Sequence, residues 1–212
     1  MEILSPQLTD YLTNLIPPRA PEIQKMEAYA DQHNFPIIGP ICGHFCYVLA
    51  RALGAKRVYE LGSGYGYSTA WFARAVKENG GGEVHHVVWD EKLSGMARNH
   101  LKALGYEGIV KYTVGEAVQA LRNAPSGYDI IFMDIDKEGY VKAIPSIHEK
   151  LRTGGLLIVD NILWSGRIFD DKDQSPATSA IRELTGVMTN NDRWANSILP
   201  IRDGLLVATK LQ

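Results

Sequence analysis

The chain has 212 residues, 45% hydrophobic and 22% charged, with a formal net charge of −2; that is enough for one domain burying roughly 70% of its unfolded surface, with no general electrostatic case for nucleic acid or an acidic membrane surface. No stretch approaches the ~20 apolar residues of a membrane span, and the opening MEILSPQLTD lacks the basic-then-apolar order of a secretory signal. A single soluble domain of cytoplasmic location, with small molecules as its ligands, is expected.

Residues 5–53 read as helices interrupted at Pro17-Pro18 and between Pro36 and Pro40. The N-terminal segment 1–53 is expected to form a helical lid over the site, and 54–212 an α/β core. Cys42 and Cys46 stand four apart in the apolar helical run 41–53, a spacing that suits neither a bridge nor the usual zinc pair, and read as reduced core thiols. Strands are predicted at 57–61, 83–88, 109–113, 128–133 and 155–160, and helices at 68–78, 91–105, 116–123, 138–151 and 176–190. This alternation is the pattern of a three-layer, doubly wound α/β fold with a mostly parallel sheet. Residues 197–201 and 205–210 are apolar runs joined by Arg202-Asp203-Gly204, a hairpin signature. Because a hairpin cannot join parallel strands, one of the last two strands runs antiparallel.

The strand at 57–61 ends in Glu60-Leu61 and breaks into Gly62-Ser63-Gly64-Tyr65-Gly66, after which a helix starts near Ser68. Such a loop turns tightly and brings backbone amides at a helix start close to a ligand, the geometry of a cofactor cradle. Two further strands end in polar clusters, Asp134-Ile135-Asp136-Lys137 and Asp160-Asn161. Ligands of parallel sheets sit beyond the carboxyl ends of the strands, which puts all three clusters on one rim. Two carboxylates and a carboxamide there offer hard oxygen ligands for Mg²⁺, Ca²⁺ or Mn²⁺. Taken singly, each of Asp134 and Asp160 also has a lesser reading as the cap of the next helix.

On the segments ELGSGYGYSTAWFA (60–73), FMDIDKEGY (132–140), GGLLIVDNILWSGRI (154–168), AIREL (180–184) and LPIRDGLLVATK (199–210), the chain resembles the cation-dependent class I O-methyltransferases that use S-adenosylmethionine, in the caffeoyl-CoA and catechol O-methyltransferase branch and its bacterial relatives. The resemblance spans about residues 18–210. It implies a seven-stranded sheet with one reversed strand, a homodimer, and methyl transfer to a hydroxylated aromatic acceptor, a vicinal diphenol. It also implies a cofactor site drawn from Ile38, Glu60, Gly62, Ser63, Ser68, Ala117, Asp134 and Asp136, and metal ligands Asp134, Asp160 and Asn161. Asp134 and Lys137 become the catalytic pair, Lys137 taking or stabilising the phenol proton. One departure stands out. Val88 occupies the place of the family's ribose-binding acid at the end of the second strand, so Asp90 is expected either to reach back to the ribose or to leave it without a carboxylate, and Trp89 to stack on the adenine.

Other residues invite plainer readings. His85 and His86 are adjacent in a strand and face opposite ways, so they cannot form one site. Trp164, Arg167 and the acidic loop 170–173 fit the wall of an acceptor pocket or a solvated loop; Trp194 and Tyr11 fit a substrate wall or a dimer contact. Two alternatives compete with a methyltransferase. A nicotinamide-dependent dehydrogenase needs a third glycine where Tyr67 stands, and a catalytically silent binding protein is kept open by the Val88 departure, against which the intact set Asp134, Lys137, Asp160 and Asn161 argues for an enzyme.

Overall fold

The computed structural model describes residues 5–212; residues 1–4, which open the expected lid segment, lie outside the described residues. Proline, whose missing N–H suits a first helical turn, opens α1 (Pro6–Leu15) and α2 (Pro21–His33) and follows Gly39 at the start of α3 (Gly39–Ala52). Ser5 caps α1 by accepting from the Leu8 N–H at 3.3 Å, and Asn34 closes α2 in the left-handed region. Then follow β1 (Arg57–Leu61), α4 (Tyr67–Glu78), β2 (Glu83–Val88), α5 (Glu91–Ala103), β3 (Val110–Val114), α6 (Ala117–Asn123) and β4 (Tyr128–Met133). The chain ends with α7 (Tyr140–Lys150), β5 (Leu151–Val159), α8 (Pro176–Thr189), β6 (Trp194–Leu199) and β7 (Leu205–Lys210).

The seven strands form one sheet in the order β3-β2-β1-β4-β5-β7-β6. The first five are mutually parallel where they pair, and β7 runs antiparallel to both β5 and β6, so the expected reversed strand is the last. Two strands differ most from the sequence reading. β6 covers residues 194–199 where 197–201 was expected: it starts three residues earlier, and it ends at Leu199 because Pro200 has no N–H to give a ladder and Ile201–Gly204 make the turn, closed by Gly204 N–H to the Ile201 carbonyl at 2.9 Å. β5 starts at Leu151, straight out of α7, and Tyr128↔Leu151 pairs before the register shifts at Tyr128/Ile130.

Strand side chains alternate between two apolar cores, as period two requires. Val58, Ile130, Phe132 and Ile158 face one core with Met26, Cys42, Cys46, Phe72 and Leu101; Tyr59, Leu61, Ile131, Met133 and Leu157 face the other with Leu121, Ile147, Ile181 and Leu184. Helices α2 to α5 thus cover one face and α6 to α8 the other. The segment before β1 is built into this layer: Cys42 and Cys46 are free and buried, and burial pushes the Cys42 thiol up to about 12. What this segment brings to the site is the stretch between α2 and α3. No described helix is long and apolar enough to cross a membrane.

Candidate active site

Strand order reverses between β1 and β4, the position where open α/β sheets leave a crevice. Gly62, at φ +87°, turns the chain there, and a Cβ on it would stand 2.1 Å from the Asp134 carbonyl oxygen, so only glycine lets the loop lie against the end of β4. A cavity of about 890 Å³ runs along the carboxyl ends of the strands, ample for a nucleoside-sized ligand and a second small molecule. Gly62, Ser63 and Ser68 line it beside β1; Val88 and Trp89 beside β2; Gly115 and Ala117 after β3; Asp134, Asp136 and Lys137 after β4; Asn161 and Trp164 after β5; and Phe35, Ile37 and Ile38 from the α2–α3 connection. Of the expected cofactor residues, Ile38, Gly62, Ser63, Ser68, Ala117, Asp134 and Asp136 border this one cavity.

Glu60 and Asp90 do not border it. Glu60 is fully buried beneath the glycine loop: its Oε2 accepts a short hydrogen bond from Thr69 Oγ1, and its Oε1 makes no hydrogen bond of ordinary length among the described residues. Burial raises its pKa to about 7 against the pull of the Ser68, Thr69 and Ser63 hydroxyls. Thr69 Oγ1 also lies 3.1 Å from His86 Nδ1, and burial holds that imidazole down to about 3. His85 stacks on Tyr59 on the opposite face. Sequence reasoning missed the Glu60–Thr69–His86 chain; the signal lay in the polar residue that each of two adjacent strands turns inward among apolar neighbours.

Asp90 is placed in the structure as a helix cap, away from the cavity lining. It is exposed, and its Oδ1 accepts from the Leu93 N–H at 2.9 Å, capping α5. The other acid at this end, Glu116, caps α6 with both oxygens, at 2.9 Å to the Val118 N–H and 2.6 Å to the Gln119 N–H. The wall left by β2 is Val88, 4% exposed, and Trp89, 78% exposed.

The other end is dense in charge. Lys137 Nζ donates to Asp134 Oδ1 at 2.9 Å, to Asn161 Oδ1 at 2.8 Å, to the Tyr140 hydroxyl at 2.8 Å and to the Ile135 carbonyl at 3.3 Å. The Tyr140 hydroxyl in turn donates to the Asp160 main-chain carbonyl at 3.0 Å. Asp160 is 1% exposed and does not itself border the cavity; its Oδ1 accepts from the Asn161 N–H at 2.8 Å and its Oδ2 from Arg202 Nη1 at 3.0 Å. Burial, then the neighbouring charge of Asp134, raises its pKa, while Arg202 opposes the rise. Asn161 sits at φ +61°, and its Nδ2 donates to Asp203 Oδ2 at 3.1 Å. Asp203 thereby fixes the amide so that Oδ1 faces Lys137. Arg202 and Asp203 were legible only as turn residues; what brings them here is the pairing of β7 with β5, which no local pattern announces.

For a divalent ion, the donor chemistry fits. The oxygens of Asp134 and Asn161 converge on one cationic nitrogen, and all three expected ligands are hard donors. Among the described residues no three His, Cys, Asp or Glu side chains form a metal-holding group; the expected set has two carboxylates and an amide. Trp164 lies beside it, its ring 5.6 Å from Lys137 Nζ. Trp194 packs instead on His148, 5.5 Å away, and Tyr11 is exposed on α1.

A doubly wound sheet with a reversed last strand, and a cavity across its switch point with a glycine loop at one end and acids at the other, define a class I methyltransferase fold. The O-methyltransferase family profile matches residues 21–211. The chain belongs to that family. It is 29% identical over 166 residues to a catechol O-methyltransferase of Niastella koreensis, covering 76% of this chain and 74% of that protein. It is 34% identical over 143 residues to a catechol O-methyltransferase of Mycobacterium tuberculosis, covering 67% and 64%. An O-methyltransferase of Bacillus cereus, solved in complex with SAH, superposes with a TM-score of 0.86 at 24% identity over 95% of this chain and 96% of that one.

Proposed function

We propose that the protein transfers the methyl group of S-adenosylmethionine to a hydroxyl of a catechol-type aromatic, with a divalent cation held by Asp134, Asp160 and Asn161. The observation that carries this reading is the convergence of Asp134 Oδ1 and Asn161 Oδ1 on the Lys137 ammonium, in the same cavity as the glycine loop. The names of the two catechol O-methyltransferase relatives support the acceptor class.

Bound cofactor supplies an activated methyl, and a bound divalent ion lowers the pKa of a diol oxygen. The chain's own residues do the rest. Gly62, Ser63 and Ser68 hold the amino-acid end of the cofactor near the strand tips, while Ala117 and Trp89 flank its base. Lys137, 8% exposed and fixed by four acceptors, meets the charge that develops on an attacking phenol oxygen, and Asp134 sets its position. Trp164 and Ile38 shield the gap in which oxygen, methyl carbon and sulfur must align, which is a positioning task. The test is methyl transfer from radiolabelled S-adenosylmethionine to a panel of catechols and their mono-hydroxy analogues. Transfer confined to vicinal diphenols supports the reading; cofactor binding without transfer to any of them favours a silent binding protein.

A further inference from the structure

The three proposed ion ligands are already matched with cations of the chain itself. Lys137 holds Asp134 and Asn161, and Arg202 holds Asp160. The two cations are not equivalent. Lys137 is buried among four acceptors, whereas the Arg202 side chain is 34% exposed over a carboxylate that is 1% exposed. Arg202 borders the cavity and Asp160 does not, so from the cavity side the guanidinium covers the carboxylate.

Its placement is built into the fold. The turn between β6 and β7 is tied to the stretch after β5 by the Ile162 N–H to the Gly204 carbonyl at 3.1 Å and the Leu163 N–H to the Asp203 carbonyl at 2.9 Å. Arg202 itself sits at φ +52°, a left-handed conformation that a residue with a Cβ avoids unless the surroundings enforce it. The charged groups around Asp160 are Asp134, Lys137, Arg202 and the nearby Asp203, and the Asn161 N–H and the Tyr140 hydroxyl donate to it. Three carboxylates thus face two side-chain cations, and a buried carboxylate stripped of its partner is strongly unfavourable.

We propose that Arg202 is a tethered cation on Asp160, keeping the cluster charge-matched when no divalent ion is present and yielding its place when one binds. The proposal rests on the ion site described above. It makes ion binding a competition between a divalent ion and a guanidinium. The wild-type protein should therefore bind ions more weakly than its oxygen donors alone would allow.

The test is Mn²⁺ binding to the full-length protein, measured by the electron paramagnetic resonance of free Mn²⁺ and by the Mn²⁺-induced rise in melting temperature. Arg202→Ala and Arg202→Gly are compared with wild type, the glycine variant suiting the left-handed backbone so that folding is retained. Both variants should bind Mn²⁺ at least tenfold more tightly than wild type and show a larger thermal shift, while melting lower without the ion. Saturable binding that Asp134→Asn abolishes, with affinity unchanged or weakened in both Arg202 variants, overturns the displacement and leaves the ion site standing. No saturable binding by any of the proteins at millimolar Mn²⁺ overturns the ion site and the displacement together.

Discussion

Replacing Asp90 by alanine separates two roles that sequence alone leaves entangled. In the structure its Oδ1 is committed to the Leu93 N–H at 2.9 Å, so the substitution should cost about 1 kcal/mol of stability through the lost cap of α5, lowering the melting temperature by roughly 2–4 °C in a chain of this size. Cofactor affinity should not change. Val88→Asp is the complementary change: it puts a carboxylate on the cavity wall at the end of β2, where Asp90 and Glu116 are both engaged as helix caps. A charged acceptor for a ribose hydroxyl is worth roughly 1.5–3 kcal/mol, about ten- to a hundredfold in affinity. Val88 is 4% exposed, so part of that gain is offset by desolvation of the new carboxylate, and the comparison belongs at pH 8, where it is ionised. Titration calorimetry with S-adenosylhomocysteine on wild type and both variants reads the outcome directly. A tenfold or greater loss of affinity in Asp90→Ala would refute the reasoning, because it would mean that Asp90 leaves its cap to serve the ligand.

Three further outcomes are expected. EDTA should abolish methyl transfer to a catechol and Mg²⁺ or Mn²⁺ restore it; full turnover in excess chelator rules the ion out of the reaction. Lys137→Ala should lower kcat by roughly 10²-fold or more with little change in cofactor affinity, and Asn161→Ala should act in the same direction; wild-type turnover in Lys137→Ala would leave the lysine a purely structural part. Glu60→Gln should change how stability responds to pH. Because burial raises the Glu60 pKa from 4.5 to about 7, the folded state takes up a proton between those values, and the contribution of Glu60 to stability falls as pH rises across that window by up to roughly 3 kcal/mol. Urea denaturation at pH 5 and pH 8 should show this fall in wild type relative to the glutamine variant, and parallel pH dependences would count against a protonated Glu60.

What the sequence made legible was set by local chemistry. The glycine loop, the acids at the ends of β4 and β5 and the apolar strand runs each state their element in a few consecutive residues, and they led to the strand tips of one doubly wound sheet. Cys42 and Cys46 were likewise placed in the core by the apolar helical run that carries them. The failures have a common cause. Asp90 reads as a ligand or a cap with equal ease, since a short acid before a helix serves both, and only the distance to the Leu93 N–H decides. Arg202 and Asp203 reach Asp160 and Asn161 across about forty residues of chain because β7 enters the sheet beside β5, and a hairpin signature says nothing about which strand the hairpin will join. The end of β6 was misplaced because apolar content continues through Leu199 to Ile201 while Pro200 ends the hydrogen-bonded ladder.

The Glu60–Thr69–His86 chain shows how the cofactor end can be charge-poor without being unresponsive. Over pH 4.5–6.5 the two buried groups oppose each other: Glu60 holds a proton in the folded state that it would release unfolded, and His86, held down to about 3, refuses one that it would take up unfolded. Stability therefore falls with rising pH through Glu60 and rises through His86, and the two slopes nearly cancel, so wild type should be almost flat in this window where these groups are concerned. With Glu60→Gln only the histidine slope remains, and stability should rise with pH up to about 6.5. A cationic amino group arriving over Ser63 and Ser68 would favour the ionised form of Glu60, which lies directly beneath them. Ligand binding near neutral pH then releases a proton, and its measured enthalpy should vary with the ionisation enthalpy of the buffer in wild type but not in Glu60→Gln. The same enthalpy in phosphate and in Tris for wild type would show that Glu60 keeps its protonation state on binding, and that its role is confined to holding the loop through Thr69.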